Sequence, residues 1–156
     1  GFLARDCNGV AKSQLERGAR GAALATMDAC VGWAESLSEA GGSPLNPAMR
    51  GTVINAFILL LSGESASAPD PRLMELAAAT EDALAPLAGG STEFARDWVR
   101  VRALKQAYAY GSSRSACELS AVREELIGSD AVTLLRADPQ SGVERWLALI
   151  DVPCTP

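Results

Sequence analysis

The chain has 156 residues, 48% hydrophobic and 21% charged, with 19 acidic and 14 basic residues and a formal net charge of −5. A chain of this length buries about 70% of its unfolded surface, and this composition supplies the apolar material, so global disorder is excluded and one domain over 1–156 is expected. The acidic balance argues against nucleic acid as a partner, and the absence of histidine removes imidazole-based triads, histidine-ligated zinc and di-iron sites with a Glu-x-x-His motif.

Apolar residues recur at helical spacing from about Val10 to Ala40, through Leu15, Ala19, Ala22, Ala23, Met27, Cys30, Trp33 and Leu37. This predicts one long helical region closed by Gly41 and Gly42, with a kink or a close crossing at Gly18 and Gly21. Asn46 as N-cap with Pro47 at the first helical position opens a second helix. Its half from Ile54 to Leu61 is apolar nearly all round, which predicts a place in the middle of a bundle. The apolar run from Val53 to Leu61 is interrupted by Asn55 and is about half the ~20 residues a membrane span needs, so no membrane insertion is expected.

A small-residue loop over 62–69 leads to a third helix opened by Asp70 and Pro71, with Leu73, Leu76, Ala77, Leu84 and Leu87 as its stripe. The fourth helix follows Ser91 and carries Phe94, Trp98, Val101, Leu104 and Tyr108. Ser115 with Glu118 forms a capping box for a fifth helix reaching about Ile127. Asp130 caps a short piece to Leu135, and Ser141 with Glu144 opens the last helix. No segment alternates with period two long enough to make a strand, so the fold class is an all-α, single-domain bundle of about six helices.

Four cysteines, Cys7, Cys30, Cys117 and Cys154, are widely spaced and include no C-x-x-C pair. Zinc binding and thioredoxin-like exchange both want closer pairs, so the even count reads as two disulfides formed in an oxidising compartment; four buried thiols in a reducing one is the alternative. A continuous first helix would hold Cys7 and Cys30 roughly 30 Å apart, too far to bridge unless the chain folds back at Gly18 and Gly21. Cys117 and Cys154 are easier to join. A start at Gly1 rather than methionine fits a removed signal peptide, or simply a chosen starting point. The expected location is periplasmic or secreted.

Two carboxylate pairs stand one helical turn apart, Glu35/Glu39 and Glu93/Asp97. Acid–base work needs their pKa values pushed apart, whereas helix ends ordinarily keep such groups solvated. Lys12 and Lys105 are the only lysines, and neither S-x-x-K nor G-x-S-x-G occurs, so no serine nucleophile has a base. The helix over 92–110 concentrates Arg96, Arg100, Arg102 and Lys105 beside Trp98 and Tyr108. An anionic ligand is one reading of that group; local pairing of Arg96 and Arg100 with Glu93 and Asp97 is the reading the net charge favours. No catalytic residue, cofactor or metal is expected.

Surface loops are what remain, over 41–45, 62–69 and 111–114. Ser62, Gly63, Glu64 and Ser65 are the candidate binding residues, because this loop is mounted on the most apolar helix. The acidic balance would speed association with a basic partner.

Cys30-Val31-Gly32-Trp33 on an early helix, together with a terminal Pro153-Cys154, resembles the small helical periplasmic immunity proteins that neutralise peptidoglycan amidases of type VI secretion, the Tai group. The resemblance covers these few positions, the size and the helicity; a mid-chain Cys-x-Pro found in some of that group is missing here. It implies a protein-binding inhibitor, often a homodimer, that blocks the substrate groove of a cell-wall amidase and has no catalysis of its own. Two other classes compete with this reading. One is a structural interaction module of a bacterial envelope assembly; the other is a histidine-free enzyme or ligand binder.

Overall fold

The computed structural model describes residues 4–63 and 69–154. Among these residues eight helices run in chain order: α1 (Ala4–Glu16), α2 (Arg20–Glu39), α3 (Pro47–Leu61), α4 (Pro71–Leu84), α5 (Thr92–Ala109), α6 (Ala116–Ile127), α7 (Asp130–Arg136) and α8 (Val143–Ala148). Among the described residues there is no strand beyond an isolated bridge between Tyr110 and Arg114, so the molecule is an all-α bundle.

The long first helix of the sequence reading is two helices. Gly18 takes a φ of 77°, its N–H donates to the Leu15 carbonyl and that of Ala19 to the Gln14 carbonyl. These two bonds satisfy the last carbonyls of α1 and reverse the chain in a Schellman motif. Gly41 and Gly42 close α2 with the same pair of bonds, to Ser38 and Leu37. Gly18 is therefore a terminus rather than a kink: the left-handed backbone it adopts carries almost no cost without a Cβ. The resulting antiparallel hairpin places Gln14 beside Thr26, whose hydroxyl donates to it over 2.6 Å, and Cys7 beside Cys30.

Both disulfides are formed. Cys7–Cys30 joins α1 to α2 across 5.9 Å between Cα atoms, the pairing that a continuous helix would have forbidden. Cys117–Cys154 ties the start of α6 to the segment after α8 across 4.5 Å. Cys7 and Cys30 have no exposed surface, whereas Cys117 and Cys154 lie on the outside.

The predicted openings of α3, α4, α5 and α6 are present: Asn46 accepts from Ala48 N–H, Asp70 from Arg72 N–H, Ser91 from Phe94 N–H, and Ser115 with Glu118 makes a complete capping box. Two others differ. Ser129 caps α7 by accepting from Val132 N–H, and Asp130 becomes the first helical residue, where its charge favours the helix dipole. At α8 the N-cap is Gly142 in the left-handed region; Ser141 accepts from Val143 N–H at 3.4 Å while donating to the Leu135 carbonyl, and Glu144 pairs with Arg136 rather than completing a capping box.

Two helices organise the core. α3 packs against α1, α2, α4 and α5, and α5 against α3, α4, α6, α7 and α8. Phe57 and Met49 of α3 and Val99, Val101 and Leu104 of α5 are fully or almost fully buried between them. Charges also join the helices. Arg50 on α3, only 3% exposed, donates to Glu93 and Asp97 on α5 and to the Leu45 carbonyl, and lies over the Phe94 ring. Glu81 on α4 accepts from Arg102 and Lys105 on α5. A buried charge is tolerable only when its bonds are made this fully.

Candidate functional site: a groove over the outer ridge of α3

Gly51, Asn55, Ile58 and Ser62 follow one another at helical spacing along a single edge of α3. The sequence reading placed this half of the helix wholly inside the bundle, and that is corrected at this edge. Asn55 faces outward, its amide folded back on the Gly51 carbonyl at 2.8 Å, and Ile58 is 41% exposed. No helix of the described residues covers the edge, because α1 packs on one flank of α3 and α5, with α8 behind it, on the other.

A recess of about 390 Å³ lies on the α1 flank, walled by Ala11, Leu15, Met27 and Leu59, with Asn8, Lys12 and Asn55 at its rim. A second, also about 390 Å³, lies on the α5–α8 flank between Ile54, Glu93, Asp97, Arg100, Arg145 and Trp146. A third of about 200 Å³ continues over Leu61, Leu104 and Leu149. Ile58 borders all three, so they form one groove divided by a single apolar knob. Three of the large exposed apolar residues, Leu15, Ile58 and Leu149, line it. Such clustering, unlike a lone exposed leucine, is the mark of a contact surface.

The two flanks differ in charge. Glu93 and Asp97 both accept from Arg50 across the helices, and of the expected local pairs with Arg96 and Arg100 the described residues keep the one between Arg100 and Asp97. Arg100 keeps one long ion pair, 3.7 Å to Asp97, and its Nε is buried without a partner. Burial pushes the Arg100 guanidinium below its ordinary value; Asp97 opposes this, and repulsion from Arg96 and Arg145 adds to it. Arg145 makes no ion pair among the described residues. The guanidiniums of Arg100 and Arg145 sit 5.0 Å and 5.3 Å from the Trp146 ring centre, within cation–π range.

Of the basic group on α5, Arg102 and Lys105 are committed to Glu81, with Arg102 also reaching Glu125 at 2.9 Å. Arg100 alone of the four lines the groove. The aromatic stripe is structural: Trp98 is buried, and Tyr108 meets Phe57 edge-on at 5.4 Å while its hydroxyl accepts from Asp70 N–H. Glu35 and Glu39 flank a shallow cleft of about 120 Å³ with Arg72 and Glu75, away from the groove. Among the described residues no group of three or more metal-ligating side chains converges.

Ser62 and Gly63 stand where the groove meets the end of α3. Ser62 borders two of its recesses, and Arg20 of α2 donates to the Ser62 hydroxyl at 2.9 Å and to the Leu59 carbonyl at 3.3 Å. A cation there satisfies the carbonyl end of the helix. Arg20 also lies against Gly63, where an added Cβ would come within 2.7 Å of Cζ. Glu64 and Ser65 fall outside the described residues. The sequence reading missed Ile58, Arg145 and Trp146 as site residues; nothing in the linear pattern joins positions that only helix packing brings together. No helix of the described residues is long and apolar enough to cross a membrane. No family model, curated protein or solved structure matches the chain.

Proposed function

We propose that this is a protein-binding inhibitor of the periplasm or another secreted compartment, which works by covering the working surface of a secreted enzyme with the groove face of α3 and the adjoining loop at Ser62 and Gly63. The observation that carries this reading is the exposed Ile58 knob with apolar recesses on both flanks, mounted on one of the two central helices. A rigid mount lowers the ordering cost of association, and two disulfides suit an oxidising location. The chemistry on offer favours obstruction over turnover. There is no imidazole, and the carboxylates of the groove, Glu93 and Asp97, are held by Arg50. The likeness at Cys30-Val31-Gly32-Trp33 and Pro153-Cys154 narrows the partner to a peptidoglycan amidase of type VI secretion, met by one or two copies of this chain.

Affinity capture from the native envelope with disulfides intact tests the reading. A single hydrolase recovered in stoichiometric amount supports it. Ile58→Asn should weaken that complex about tenfold, since a polar group buried without a partner costs about 1–3 kcal/mol, and should barely move the melting temperature. Catalytic turnover by the purified chain, or capture unaffected by the substitution, would refute it.

A further inference from the structure

We infer that the groove receives an acidic amphipathic helix of the partner protein, whose apolar side straddles Ile58 and whose carboxylate enters the recess shared by Arg100 and Arg145. This rests on the docking surface proposed above and adds the chemistry of its occupant. From Gly51 to Ser62, the C-cap of α3, is eleven residue steps, about 16 Å, or three turns of a helix laid alongside. The described residues offer no strand edge to extend, whereas a channel between helices with apolar walls accepts the apolar face of another helix.

Charge selects the sign of that helix. The protein as a whole carries −5, yet among the described residues four cations line the groove, Lys12 on one flank and Arg50, Arg100 and Arg145 on the other. Among the described residues Glu93 and Asp97 are the only acids bordering these recesses, and both are engaged by Arg50. Arg100 has one long ion pair, 3.7 Å to Asp97, and a buried Nε without a partner, so it keeps hydrogen-bonding capacity for a second carboxylate. Trp146 fixes both guanidiniums against one ring, so little side-chain freedom remains to be lost when a carboxylate arrives. A polyanion such as nucleic acid would meet the repulsion of the whole acidic surface; a single carboxylate meets the local field.

Two helix-favouring peptides of about three turns test the inference, each with leucines one turn apart, one carrying Glu and the other Gln at the next turn. Binding is read by calorimetry and by tryptophan fluorescence on the intact, oxidised chain. The Glu peptide should bind about tenfold more tightly than the Gln peptide, as expected for a charge-assisted hydrogen bond. Arg145→Gln, at an exposed position, should shrink the gap to about threefold or less, and added salt should narrow it in the wild type. Equal binding of the two peptides overturns the carboxylate inference and leaves the docking surface standing. Failure of both to bind, or unchanged binding to Ile58→Asn, overturns the docking surface as well. Self-association that Ile58→Asn abolishes would assign the groove to a second copy and refute the acidic helix.

Discussion

Removing one disulfide at a time separates chain entropy from burial as the source of stability. Cys7–Cys30 closes a separation of 23 residues and Cys117–Cys154 one of 37. Loop-closure entropy alone assigns them about 3.4 and about 3.8 kcal/mol, so the outer bridge should matter slightly more. Burial reverses the order. Cys7 and Cys30 are wholly enclosed, and replacing both by alanine leaves roughly 40 Å³ empty, which with the lost contacts adds about 1–2 kcal/mol. Cys117 and Cys154 are exposed, so their loss leaves no such void. C7A/C30A should therefore lose about 5 kcal/mol and C117A/C154A about 4 kcal/mol or less, the second figure falling further where the segment after α8 frays without unfolding the bundle. Urea unfolding followed by far-ultraviolet circular dichroism measures both. A C117A/C154A protein as unstable as C7A/C30A, or more so, would refute the argument from burial. Free thiols in the native protein would remove its premise.

Arg50→Met should cost about 3–5 kcal/mol in urea unfolding, because it strands the mostly buried Asp97 and frees the Leu45 carbonyl; adding Asp97→Leu should recover most of that loss. Recovery of nothing would show that the pair contributes beyond offsetting its own burial. The pH dependence is set partly by Asp70, whose carboxyl the hydrogen bond from Arg72 holds below the usual carboxylate range. A folded-state pKa below the unfolded one gives stability that is full above about pH 4 and is lost as the pH falls further. Asp70→Asn keeps a cap acceptor for α4 but should flatten that acid limb, read as a smaller drop in melting temperature below about pH 4. An unchanged limb would assign the acid sensitivity to other carboxylates.

Local chemistry made much of this fold legible in the sequence. Asn46-Pro47, Asp70-Pro71, Ser91 and the Ser115–Glu118 box act within four residues of themselves, so they open α3 to α6 whatever packs around them. Gly18 shows the limit of such reading. The same two hydrogen bonds close α1 and α2, yet the apolar spacing runs on across Gly18, and a lone glycine marks a kink as readily as an end. The fold-back is settled by contacts made between the two arms of the hairpin, Cys7 with Cys30 and Gln14 with Thr26. Arg50 likewise reads as an ordinary polar residue in a helix's first turns, and only the approach of α5 turns it into the buried centre of two ion pairs.

The amino-acid order determined the fold class and the bridging cysteines, because helix signals and sulfur chemistry are properties of short stretches and of counts. The groove was decided by tertiary packing alone. Ile58 looks like core in the chain and is left half open because no helix of the described residues is set down over that edge of α3. Arg100 and Arg145, 45 positions apart, become one charged patch only where α8 packs on α5 and both guanidiniums meet the Trp146 ring.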